Sequence, residues 1–250
     1  MTQKNNAWFR TRCLISIDFS GLPPQWVGGL VLSLCLLFME NSSLMAQDKW
    51  AYDLEWVESK MHKQPWQCLK VLDHILRQDS TQAGAYRLKA RITRNWGWWT
   101  QAIQCFEAAL RHRPELVKDK LFMNQKYLTE KEGKAYAKAH ATADILIKHF
   151  PKEVEYYDHK VYIYQLQDQY PMALTWLDKM IELAPNKSTY HAEKASMYQY
   201  HLKNDSAALK EYQLALKKSP LDSEAQPERY RHRIAYLQSQ LQYQSNEQDY

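Results

Sequence analysis

Apolar residues recur along the chain in one repeated helical pattern. Small residues at Cys68, Ala102, Ala139, Ala173 and Ala208 set its register. Four, seven and eight residues beyond each lie Leu72, Ile75 and Leu76; Phe106, Ala109 and Leu110; Ala143, Leu146 and Ile147; Leu177, Met180 and Ile181; and Tyr212, Ala215 and Leu216. That spacing puts each set on one face of an α-helix. Pro114, Pro151, Pro185 and Pro220 follow the last four small positions by twelve residues and stand 37, 34 and 35 residues apart, with Ser80 in the equivalent place of the first unit. Proline lacks the N–H that a helix interior needs, so each unit ends in a helix and a stop.

A first helix precedes each of these in the last four units. Tyr86, Met123 and Tyr157 lie sixteen residues before the small position and His191 seventeen, each followed three residues later by a lysine: Lys89, Lys126, Lys160 and Lys194. The lysine stem is expected to cover apolar surface while its ammonium reaches water. Trp99, Tyr136 and Tyr170 stand three residues before the small position, between the two helices. The pattern predicts paired helices in units at about 48–80, 81–114, 115–151, 152–185 and 186–220.

On these residues the chain resembles the tetratricopeptide repeat (TPR) family, a helix-turn-helix unit of about 34 residues. The second unit matches best, with Tyr86, Ala90, Gly97, Trp99, Ala102, Phe106, Ala109, Leu110 and Pro114 at family positions. The third carries three extra residues and the bulky Tyr127 at a small-residue place, the fifth one extra residue near Lys203-Asn204-Asp205, and the first helix of unit one is degenerate. The resemblance implies an all-α fold, a right-handed α-α superhelix of about five repeats. A capping helix is expected over 221–243, where Tyr230, Ile234, Leu237 and Leu241 form an amphipathic stripe, followed by a frayed polar tail at 244–250.

The resemblance also implies a non-catalytic module that binds a partner protein or peptide on the concave surface lined by first helices. Carried over position by position, that surface comprises Arg87, Arg91 and Arg94 in unit two, Asn124 and Leu128 in unit three, and Asp158, Tyr162 and Gln165 in unit four. The arginine spacing alone places all three guanidinium groups on one helix face. Two readings stay open there: an acidic peptide gripped by bidentate hydrogen bonds, or a solvated face neutralised by neighbouring acids. Asp158 and Tyr162 depart from the family's carboxylate clamp, which argues against a chaperone-tail ligand.

Composition narrows the field further. Of the 250 residues, 45% are apolar and 24% charged, enough apolar side chain to fold. Only Gly84, Gly97 and Gly133 fall after residue 46, too few glycines for the corners of a many-stranded β-fold. The net charge of +5 is spread along the chain, which gives no support to nucleic-acid binding. Lys4, Arg10 and Arg12 precede the uncharged run Trp26–Met39, and Ala46 offers a small residue for cleavage, so residues 1–46 read as a signal peptide. At ~1.5 Å per residue that run spans about 21 Å, short of the ~30 Å bilayer core. The expectation is an exported, periplasmic or cell-envelope protein; lipidation at Cys35 and a retained N-terminal anchor are the alternatives. Cleavage leaves Cys68 and Cys105, read as two free thiols in preference to a single bridge.

No phosphate loop, nucleophile elbow, Cys-x-x-Cys or paired metal-binding histidines occur, so no enzyme activity, cofactor or metal is expected. His140 and Asp144 share a helix face, but two ligands do not make a metal site. Trp96, Trp98 and Trp99 form an aromatic cluster in which Trp98 has no family role. It either packs on the preceding unit or is an anchor for a partner protein or, in the alternative reading of a carbohydrate-recognition or enzyme-associated envelope module, for a sugar ring.

Overall fold

The structure is a computed structural model and describes residues 49–248; the expected signal peptide lies outside the described residues. The described residues from Trp56 onward belong to one compact unit. Eleven α-helices occur among the described residues, with no strand: α1 Ala51–Lys60, α2 Pro65–Gln78, α3 Ala83–Asn95, α4 Trp99–His112, α5 Lys120–Glu132, α6 Tyr136–His149, α7 Val154–Leu166, α8 Tyr170–Leu183, α9 Ser188–Tyr200, α10 Asp205–Lys218 and α11 Pro227–Gln248. From α3 onward they pack as antiparallel partners, α3 with α4, α5 with α6, α7 with α8 and α9 with α10, and α11 lies on α10. This is a helical solenoid.

Local chemistry sets the helix ends. Pro65 and Pro171 occupy first turns, where no N–H is needed. Asp119 Oδ1 accepts from Phe122 N at 3.0 Å to cap α5, and Asn204 Oδ1 accepts from Ala207 N at 3.0 Å to cap α10. The turns between paired helices share a left-handed residue five positions before the small one: Gly97 at φ 72°, Lys134 at 56°, Asp168 at 56° and Lys203 at 52°. Only the first of these is glycine. The extra residues of unit three are taken up by a 3-10 turn at Pro114–Lys118 that buries Leu116.

Side chains of adjacent units fill shared seams. Ala90, Phe106 and Ala109 of unit two pack in one cluster with Phe122, Tyr127, Ala143 and Leu146 of unit three and with Tyr156 and Ile163 of unit four. Val161, Ala173 and Leu177 meet Met197 of unit five, and Ala195, Ala208 and Tyr212 meet Tyr230 and Leu237 of α11. No unit closes its own core, so truncating a seam residue such as Leu146 to alanine costs about 2–5 kcal/mol. Tyr127, bulky at a small-residue position, is accommodated because its ring reaches into unit four, where its hydroxyl donates to the His159 carbonyl at 3.1 Å.

The helix α11 runs to Gln248, since glutamine, serine and glutamate without glycine or proline do not oppose a helix already nucleated on α10. One expectation is corrected. The repeated lysines do not end in water. Lys89, Lys160 and Lys194 each reach an aspartate sixteen residues back on the preceding unit's second helix: Asp73 at 2.6 Å, Asp144 at 2.7 Å and Asp178 at 2.6 Å. Insertion in unit three breaks that register. Lys126 turns instead to buried Glu130 and donates to Thr142 Oγ1 at 2.7 Å, while Glu107 takes Lys138 at 2.6 Å. Cys68 and Cys105 are buried free thiols.

Candidate functional site

The first helices α3, α5 and α7 present the positions that the resemblance marked. The arginines of α3 are largely answered from within. Arg87 Nη1 lies 3.4 Å from Asp119 Oδ2 and Arg91 Nη1 lies 2.6 Å from Glu58 Oε1, whereas Arg94 has no carboxylate within ion-pair distance among the described residues. The face is thus neutralised chiefly by neighbouring acids, and the acidic-peptide reading loses two of its three guanidinium groups.

On α5 and α7 the marked side chains tie one unit to the next. Asn124 donates through Nδ2 to Glu155 Oε1 at 3.0 Å, and its Oδ1 stands 2.9 Å from His159 Nε2. Because an amide oxygen only accepts, His159 carries its proton on Nε2. Burial, seconded by Lys131, lowers the His159 pKa to about 4, so the ring is neutral. Leu128 is half-buried against the seam of units two to four. Gln165 donates to Glu193 Oε1 of α9 at 2.9 Å. Tyr162 is 43% exposed, with the Lys131 ammonium 4.8 Å above its ring.

Asp158 differs from all of these. Among the described residues it makes no hydrogen bond and no ion pair. It is open to solvent, yet desolvation by surrounding protein pushes its carboxyl above the usual range and Glu155 pushes the same way. Glu193 is also raised by burial and further by Asp158, with the Gln165 hydrogen bond acting against both. Beyond Glu193 lies an open cavity of about 270 Å³ between α9, α10 and the start of α11. Ala192, Ser196, Glu224 and Arg229 are in its wall. Arg229 donates to Gln226 at 3.2 Å, and Glu224 is held by Lys187 at 3.0 Å.

Trp98 lies apart from this face. It is 42% exposed and packs edge-on against Trp96 and Trp66, with ring centres 4.8 Å and 5.8 Å away. Trp66, itself 62% exposed and 4.4 Å from Trp96, was not among the expected residues. Its signal was its distance from Trp96 and Trp98, close to one repeat.

No group of three His, Cys, Asp or Glu side chains able to hold a metal occurs among the described residues. His140 meets Gln167 at 3.1 Å while Asp144 pairs with Lys160, so that helix-face pair serves packing between units. No described helix is long and apolar enough to cross a membrane.

No protein-family model and no curated protein matches the sequence. Solved TPR structures do match the fold. MamA residues 41 to the end, from Desulfovibrio magneticus RS-1, is 16% identical with a TM-score of 0.53, covering 71% of this chain and 98% of that one. Another MamA structure is 12% identical with a TM-score of 0.54, covering 68% and 91%. YrrB, described as a TPR protein with an unusual peptide-binding site, is 16% identical with a TM-score of 0.52, covering 67% and 85%.

Proposed function

We propose that this TPR-fold chain is an exported scaffold of the bacterial cell envelope that holds a partner protein or peptide against its first-helix face. The observation that carries the reading is on α7, where Asp158 and Tyr162 stand one helical turn apart, both exposed and neither buried in the seam. An unpaired carboxylate beside an exposed phenol on an ordered helix supplies both directional and apolar contact. Export rests on the charge and hydropathy layout of residues 1–46. The test is photo-crosslinking in intact cells from a probe placed at Tyr162, compared with one at exposed Lys138 on α6. A partner band from position 162 alone is expected; equal bands from both positions, or none from 162, sink the reading.

A second reading is favoured by the Trp66, Trp96 and Trp98 cluster, in which the exposed indoles of Trp66 and Trp98 can stack on sugar rings. Titrating envelope oligosaccharides against tryptophan fluorescence separates the two. Quenching that disappears in Trp98→Ala supports carbohydrate recognition, and an unchanged spectrum removes it.

A further inference from the structure

The charges on the first-helix face are not balanced evenly along the array. Toward the first units, Arg87 and Arg91 are held by Asp119 and Glu58. Toward the last units, the groups left over are acceptors. Asp158 has no donor among the described residues, and Glu193 has a single neutral donor, the Gln165 amide. Ala192 and Ser196, one turn apart on α9, line the 270 Å³ cavity together with Glu193. The nearby lysines are committed elsewhere, Lys187 to Asp222 and Glu224 and Lys131 to Glu132 and the Tyr162 ring, while Arg229 in the cavity wall meets only the neutral Gln226 amide.

We propose that the stretch from Asp158 to Glu193 receives a basic segment of a partner protein, with lysine or arginine side chains donating to these two carboxylates. The assignment follows from hydrogen-bond inventory. Lysine and arginine side chains carry only donors, and charge-assisted bonds to carboxylate are the strong ones. An acidic segment would place carboxylates against carboxylates. The exposed Tyr162 ring, one turn from Asp158, adds a surface for the aliphatic stems. This inference rests on the reading of the first-helix face as the binding face and adds the partner's charge.

The test pans a random dodecapeptide library on the purified full chain. Binding of the enriched peptides is then measured by fluorescence anisotropy on wild type, Asp158→Asn/Glu193→Gln, Tyr162→Ala and Arg87→Gln/Arg91→Gln. The first variant keeps side-chain shape and hydrogen-bonding capacity, and thermal melts establish that each variant folds. Basic peptides should be enriched, and Asp158→Asn/Glu193→Gln should weaken them about tenfold or more, while Arg87→Gln/Arg91→Gln leaves them within about twofold. Basic peptides that bind the carboxylate variant as tightly as wild type overturn the proposal. Acidic or uncharged peptides that still depend on Tyr162 overturn the charge assignment and leave the binding face standing. If no enriched peptide responds to any of these substitutions, the binding face falls with it.

Discussion

The imidazole of His159 lies flat on the phenol of Tyr127, ring centres 3.8 Å apart and planes within 4°. The contact joins unit three to unit four at the seam, and Asn124 accepts the Nε2 proton from the first-helix side. Protonation would place a desolvated imidazolium there. With a folded pKa of about 4 against about 6.5 unfolded, this neutral histidine contributes stability that is fully present above pH 6.5 and is lost as pH falls toward 4. Between pH 7.5 and pH 5 the wild type should lose about 2 kcal/mol more than His159→Gln, read as the difference between their urea midpoints. Raised carboxyls at Glu130, Asp158 and Glu193 act in the opposite sense, so the comparison with the variant isolates the histidine. Parallel pH profiles would remove His159 as an acid-sensitive contact.

Asp158→Asn should leave the fold intact or gain up to about 0.5 kcal/mol at pH 7. Its carboxyl is raised in the folded state, so charge there is unfavourable, and exposure to solvent keeps the effect small. A loss above about 1 kcal/mol in denaturant titration would mean that Asp158 has a structural partner instead.

Lys134→Gly and Lys203→Gly should each raise stability by about 0.5–1 kcal/mol. Both lysines hold positive φ at inter-helix turns where Gly97 occupies the equivalent place in unit two. Left-handed backbone costs a residue with Cβ about 1–2 kcal/mol, partly offset by the greater chain entropy of glycine. Gly133→Ala should go the other way, because an added Cβ would come within 2.8 Å of Trp99 Cβ. Differential scanning calorimetry of the three variants gives the signs directly.

Lys126→Met should cost about 3–5 kcal/mol and Lys89→Met less than about 1 kcal/mol. Removing Lys126 strands Glu130, whose side chain is fully buried, whereas Asp73 beside Lys89 is half-exposed and can be rehydrated. Equal losses in urea melts would contradict the broken lysine register of unit three.

How far the sequence could be read depended on the range of the interaction. The repeat, the seam residues such as Leu146 and Leu177, and the placement of Asp158 and Tyr162 on one helix face all follow from periodicity within a unit. The pairings of Arg91 with Glu58, Arg87 with Asp119 and Asn124 with Glu155 join residues 33, 32 and 31 apart, about one repeat. They emerge only when first helices are laid side by side. Trp66 was missed for the same reason, since its neighbours Trp96 and Trp98 belong to the next unit. The helix to Gln248 was hidden because a polar run carries no burial signal.

Hydrogen–deuterium exchange of the full chain, with and without the partner recovered by crosslinking from position 162, tests the central claim most directly. Slowed exchange confined to first helices α5, α7 and α9, with α6, α8 and α10 unchanged, is the predicted result. Protection concentrated on the second helices, or none anywhere along the array, would contradict a binding face built from the first helices.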